Sequence, residues 1–177
     1  MLQDAWDEIE SLYIAPHVTP TVVEQFREFK QKQPFHTKGE RAQAHYCAFF
    51  LPYDKHSGTI YLGHHKKADD WIPPGGHIEP GETPSMTAIR EMREELATTI
   101  IKSMLEPFSL SVKNIDRPEQ GCMVHYDMWF LVHIPEQPFQ YLEKEYYDAG
   151  WFPIEEGVAK IKKNPDFAAT VAKLLQS

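Results

Sequence analysis

Residues Gly75–Thr98 read GGHIEPGETPSMTAIREMREELAT, and the fold of the whole chain turns on them. Gly75-Gly76 and Pro80-Gly81 make irregular backbone that can approach a ligand closely. Thr83-Pro84 then starts a helix, because proline is tolerated in a first turn. At about 100° per residue, Met86, Ile89, Met92 and Leu96 form an apolar stripe roughly 120° wide. Glu91, Glu94 and Glu95 share the opposite face at i, i+3 and i+4. Like charges at that spacing repel and weaken a bare helix. Hard oxygen ligands clustered on one rigid face suit Mg²⁺ or Mn²⁺. A solvated glutamate-rich face, partly neutralised by Arg90 and Arg93, has the same pattern, so spacing alone leaves both readings open.

On the N-terminal side, two amphipathic helices are expected at 2–14 and 19–32. Leu2, Trp6, Ile9 and Tyr13 recur at helical spacing in the first, and Val22, Val23, Phe26 and Phe29 in the second. Aromatic and β-branched strands follow at 43–52 and 58–65, separated by a Tyr53–Gly58 turn. Beyond the central helix, at about 84–97, strands are expected near 106–115 and 122–134. A short strand near 149–154 and a helix at about 165–176 close the chain. Strands with interspersed helices indicate an α/β or α+β domain. At 177 residues one domain is the natural expectation, with residues 1–35 as a helical extension packed on it.

The chain carries 26 acidic and 18 basic residues, net −8. That balance disfavours bulk nucleic-acid binding, which needs clustered Lys and Arg. Acidic proteins still handle phosphates when a metal ion sits between carboxylate and substrate. Cys47 and Cys122 lie far apart and outside any C-x-x-C pair, which argues against a disulfide scaffold or a four-ligand zinc site. Cys47, in an apolar aromatic strand, reads as a core thiol. There is no basic-then-apolar leader and no apolar run near the ~20 residues of a membrane span, so the expected location is cytoplasmic.

The spacing Gly76, five residues, Glu82, seven residues, Arg90-Glu91-Met92-Arg93-Glu94-Glu95 resembles the Nudix box, the signature of the Nudix hydrolases. All six fixed glycine and polar positions up to Glu95 match in register. Ala97 and Thr98 depart, standing where the family has glycine and an aliphatic residue. The glycine position often needs a left-handed backbone, so either the alanine there costs about 1 kcal/mol or the helix ends differently. The box, Gly76–Thr98, covers 23 of the 177 residues. Tyr61–Lys67, Trp71-Ile72-Pro73-Pro74 and Trp151-Phe152-Pro153-Ile154-Glu155-Glu156 extend the resemblance loosely.

The resemblance implies an α/β/α sandwich on a mixed β-sheet, formed by residues 1–177 as a single domain. It implies hydrolysis of a nucleoside diphosphate derivative or a related small diphosphate with Mg²⁺ or Mn²⁺. Glu91, Glu94 and Glu95 would hold the metal with the Gly76 carbonyl, and Glu82 and Arg90 would pair to brace loop against helix. Such chemistry needs a base within reach of the attacking water. In the family this is often a glutamate beyond the box, which here is Glu143 or Glu145, with Glu145 favoured. His125 and Asp127 are i and i+2 on one strand face. They would contact substrate or support the metal site, unless they are only a hydrogen-bonded sheet pair. His77 could reach a phosphate, and His64-His65-Lys66-Lys67 could attract one or be a solvated hairpin end. The implied partner is a small soluble diphosphate, with no membrane; dimers are common in the family, so a homodimer is compatible.

Two other readings share the fold. Isopentenyl diphosphate isomerases have a catalytic Cys before a Gly-His, where this chain has Pro74 and Gly75; metal-binding histidines, with His36 and His45 as candidates, keep that reading open. A non-catalytic ligand-binding domain usually shows lost box glutamates and an attached DNA-binding domain, and the sequence has neither sign. Residues 76–95, with five acids and two bases, and 136–156, with six acids and one base, together account for the whole −8. These are the segments expected to converge on metal.

Overall fold

Apolar residues at helical spacing build the N-terminal elements. In a computed structural model, which describes residues 2–32, 43–115 and 123–176, α1 spans Leu2–Ser11 and tightens into a 3₁₀ turn at Leu12–Ile14. α2 spans Pro20–Lys32. The buried stripe of the first helix is Trp6, Ile9 and Leu12, and Tyr13 is only half-buried because the tighter turn rotates it away. Val23, Phe26 and Phe29 are buried in the second.

The strands are β1 (Ala44–Asp54), β2 (Thr59–His65), β3 (Asp70–Ile72), β4 (Gly75–His77), β5 (Leu105–Asn114), β6 (Val124–His133) and β7 (Tyr146–Pro153). The helices α3 (Pro84–Leu96), α4 (Ile154–Lys160) and α5 (Pro165–Ala172) complete the chain. The strands hydrogen-bond in the order β3-β2-β1-β6-β5, with β4 also on β1 and β7 also on β2. This is the expected α/β class with a mixed sheet. The expected strands and helices lie within a few residues of those observed, whereas β3, β4 and α4 had no counterpart in the sequence reading. Pro34, the polar stretch 36–41 with His36, and Cys122 fall outside the described residues.

Two compact units share the chain. The first draws on segments of Met1–Phe49, Gly75–Ala88 and Pro107–Phe130. Here β1 and β6 alternate faces with period two. On one face Tyr46 meets Trp6, Phe26, Phe29 and Tyr126, with ring centroids 4.9–6.1 Å away. Phe29 stacks flat on Tyr126 at 4.0 Å. This aromatic cluster seats α2 on the strands. On the other face Phe49 stacks on Trp129 at 5.1 Å, in line with His45 and Cys47 on β1 and with His125 and Asp127 on β6. β4 pairs antiparallel with β1, setting Cys47 opposite His77 and Phe49 opposite Gly75. Gly75 has φ +151°, and a Cβ there would lie 2.5 Å from the Ala48 carbonyl oxygen, so only glycine lets β4 come this close.

The second unit draws on Phe50–Pro74, Ile89–Glu106 and Leu131–Ser177. β2 pairs with the end of β1, with β3, and along its whole length with β7, where an irregularity between His64 and His65 shifts the register. Gly63 of β2 faces the Tyr146 ring, which occupies the space where a Cβ would be. Asp70 is buried. It accepts the backbone N–H groups of Lys162, Lys163 and Asn164 at 2.7–3.0 Å and the Asn164 amide at 2.9 Å. Those donors immediately precede α5, so one carboxylate anchors the start of the terminal helix. Burial pushes the Asp70 carboxyl up, but the converging N–H groups outweigh it and hold its pKa below the ordinary value.

Candidate functional site

α3 begins where the Thr83-Pro84 pair places it. The Thr87 N–H reaches the Thr83 carbonyl at 3.0 Å. The free N–H of Ser85 and its hydroxyl both donate to the Glu8 carboxylate of α1. An anion at a helix N-terminus satisfies orphan donors and complements the helix dipole. Glu82 accepts the Thr87 hydroxyl at 2.7 Å and the Glu79 N–H at 3.1 Å, so it closes the loop that enters the helix.

The buried side of α3 is not the one hydrophobicity assigns. Ser85, Ala88, Met92, Glu95 and Leu96 are buried, whereas Met86 is 50% exposed and Ile89 is half-buried. The buried arc is therefore turned by about 70° toward the glutamates. Small side chains at 85 and 88 allow that close packing. Glu95 is carried inside with it, at 3% exposure.

Glu95 has partners that make its burial tolerable. Its carboxylate accepts the Tyr146 hydroxyl at 2.9 Å, and its backbone carbonyl accepts the Leu142 N–H at 2.8 Å. The Leu142 carbonyl in turn accepts the N–H groups of Glu145 and Tyr146 at 2.8 and 3.1 Å. The turn carrying Glu143 and Glu145 is thus docked on the last turn of α3. Lys66 fixes its other side, giving its N–H to the Glu145 carbonyl at 2.7 Å and its ammonium to the Glu143 carbonyl. This is what the basic hairpin end does in the structure. Burial and the Glu95 charge push the Tyr146 phenol well above its ordinary pKa, so it stays a hydrogen-bond donor.

The Glu91 carboxyl feels the charges of both Glu94 and Glu145. Burial raises the Glu91 pKa; the Arg90 guanidinium opposes it, and the charges of Glu94 and Glu145 push it up further. Arg90 donates to Glu91 at 2.7 Å and to Glu94 at 3.3 Å, the local neutralisation expected on the helix face. Glu94 is exposed and Glu145 half-buried. Glu91, Glu94, Glu95 and Glu145 offer oxygen donors of the type a hard divalent cation takes. Of the two helix ends open to the sequence, the structure has the left-handed one. Ala97 has φ +49°, the Thr98 N–H turns back to the Met92 carbonyl at 3.3 Å, and the Thr98 hydroxyl donates to the Leu96 carbonyl at 2.9 Å.

Other sequence candidates lie in the first unit. Gly76 sits on β4 opposite Ala48. His77 and His125 face each other with Nε2 atoms 3.3 Å apart. Asp127 is fully buried and accepts the Ser111 hydroxyl at 3.3 Å, while the Trp129 indole donates to the same hydroxyl at 2.9 Å. Tyr146, Glu8 and the grouping of His45 and Cys47 with His77 and His125 escaped sequence reasoning. Of these only Glu8, an acid on a helix able to cap another, left a local signal, and it did not name its partner.

Comparison with known proteins gives the following. The NUDIX domain profile matches residues 44–175. A mouse bis(5'-nucleosyl)-tetraphosphatase (asymmetrical) is 27% identical over 88 residues, which span 49% of this chain and 57% of that protein. Two solved structures share the fold. One is the Escherichia coli dihydroneopterin triphosphate pyrophosphohydrolase, with TM-score 0.65 and 17% identity over 75% of this chain and 96% of that one. The other is a Caenorhabditis elegans Ap4A hydrolase, with TM-score 0.55 and 23% identity over 73% and 96%. No helix among the described residues is long and apolar enough to cross a membrane.

Proposed function

Because the chain belongs to the Nudix family, we propose that it is a metal-dependent hydrolase cleaving a diphosphate linkage in a small nucleoside diphosphate derivative or a related diphosphate. Residues 1–177 then act as one Nudix hydrolase domain, with 1–35 as its helical extension. The observation that supports the reading is the docking of the Glu145 turn on α3 through Glu95 and Leu142, with the charges of Glu94 and Glu145 felt at Glu91. Glu91, Glu94 and Glu95 would hold Mg²⁺ or Mn²⁺. Such an ion would supply charge neutralisation at the leaving phosphate and a more acidic attacking water. Glu145 is the base that takes the proton from that water. Arg90 holds Glu91 and Glu94 in position, and Tyr146 holds Glu95.

A screen with Mg²⁺ and with Mn²⁺ tests this. Its panel holds dinucleoside polyphosphates, dihydroneopterin triphosphate, nucleotide sugars, ADP-ribose, NADH, oxidised nucleotides and non-nucleotide diphosphates. The names of the mouse and bacterial relatives put the first two at its head. Turnover that stops with a chelator, and in Glu94→Gln, is the expected result. A panel inert with both ions refutes the hydrolase. Isopentenyl diphosphate is included as an arm, since product formed from it without phosphate release would mark an isomerase instead.

A further inference from the structure

We propose that His45, Cys47, His77 and His125 form a second, independent metal site, a four-ligand N₃S centre for a zinc-class ion. One ligand atom from each of the four lies within 4.8 Å of every other. A tetrahedral zinc ion, with nitrogens at about 2.0–2.1 Å and sulfur at about 2.3 Å, spaces its ligand atoms by roughly 3.3–3.7 Å. The His77 and His125 Nε2 atoms are at that separation already, 3.3 Å apart. The remaining pairs need to close by at most about 1.5 Å, which side-chain rotations supply.

The backbone explains why these four meet. His45 and Cys47 are i and i+2 on one face of β1. The β1–β4 register sets Cys47 directly opposite His77. His125 lies on β6, next to β1 in the strand order, and its ring centroid is 5.0 Å from those of His45 and His77. The His45 and His77 centroids are 4.4 Å apart. Three imidazoles and a thiol turned toward one point, with His45 and Cys47 buried, make a donor set for a borderline-soft ion rather than for Mg²⁺. On binding, the Cys47 thiol gives its proton to solvent and the thiolate takes the ion. Four protein ligands close the coordination shell, so this ion pins β1, β4 and β6 together and leaves no open position for substrate.

The test uses the full chain, stripped with a chelator and titrated with Co²⁺ and then Zn²⁺. One equivalent of Co²⁺ per chain should bind with the visible absorption of a tetrahedral ion and a near-ultraviolet thiolate-to-cobalt charge-transfer band. Zn²⁺ should displace it and raise Tm, whereas Mg²⁺ should not displace it. Cys47→Ser should lose the charge-transfer band. His125→Asn should weaken Co²⁺ binding by more than the roughly 10- to 100-fold that follows loss of a group merely orienting a ligand. Glu94→Gln should change neither. If Cys47→Ser fails to fold, His125→Asn and the wild-type spectrum still decide. Absence of the charge-transfer band in the wild type, its persistence in Cys47→Ser, or binding lost in Glu94→Gln but kept in His125→Asn overturns the site.

Discussion

Tyr146→Phe removes one oxygen atom and tests how the carboxylate site is held. The hydroxyl donates to Glu95 at 2.9 Å, and both side chains are buried, at 2% and 3% exposure. A hydrogen bond to a charged group contributes about 1.5–3 kcal/mol. The ring itself stays packed on Gly63, and the backbone bond from Tyr146 to the Leu142 carbonyl is untouched. The loss is therefore confined to Glu95. A chain of this size shifts by about 2–4 °C per kcal/mol, so Tm should fall by roughly 3–12 °C. Thermal unfolding followed by circular dichroism reads this directly. The functional consequence separates a metal ligand from a merely buried acid. If Glu95 binds the ion, loss of the group that orients it should raise the Mg²⁺ concentration for half-maximal hydrolysis by about 10- to 100-fold. A variant with unchanged Tm shows that the bond adds nothing net. A variant with lowered Tm but unchanged Mg²⁺ dependence removes Glu95 from the proposed ligand set.

Three further outcomes are expected. Glu91 has a folded-state pKa above its ordinary 4.5, so its ionisation lowers stability as pH rises through the raised value; Glu91→Gln should be the more stable protein at pH 7 by about 0.5 kcal/mol of relieved repulsion, with the gap closing below pH 4.5, as pH-dependent denaturant titrations will show. Asp70, with its pKa held below 3.8, stabilises above that value and loses the effect as pH falls through the lowered one. Asp70→Asn should therefore cost about 2–3 kcal/mol in urea melts at pH 7, with wild type and variant converging in acid. Ala97→Gly relieves a left-handed alanine, φ +49°. That relief of about 1–2 kcal/mol, less the added flexibility of the unfolded chain, should raise Tm by about 2 °C.

What the sequence discloses of this molecule is what neighbouring residues decide. Thr83-Pro84 announces the start of α3, and 3.6-residue spacing in Val23, Phe26 and Phe29 announces α2. The departure at Ala97 leaves a left-handed helix end as one of two outcomes, because that choice follows from the position itself. β3 and β4 are three residues each, too short for any period to show. They exist because β2 and β1 offer them backbone partners. The α3 face was misjudged by about 70° for a related reason. Hydropathy places Met86 inside and Glu95 outside, yet small side chains at 85 and 88 permit close packing, and a tyrosine 51 residues away in sequence satisfies the carboxylate.

The same reasoning explains why the two candidate metal sites differ in legibility. Glu91, Glu94 and Glu95 lie within one and a half turns of one helix, so their shared face can be drawn from the sequence alone. His45, Cys47, His77 and His125 are spread over 81 positions, and cysteine spacing gave a reason to exclude a zinc site. The proposed site departs from that reading on strand pairing, because the register that puts Cys47 opposite His77 is a property of two segments together. Selectivity between the sites then follows from donor type. Oxygen donors on the helix suit Mg²⁺ or Mn²⁺, while imidazoles and a thiolate between strands suit a zinc-class ion. One chain could carry both ions without exchange only if each site offers the donor type that the other ion disfavours.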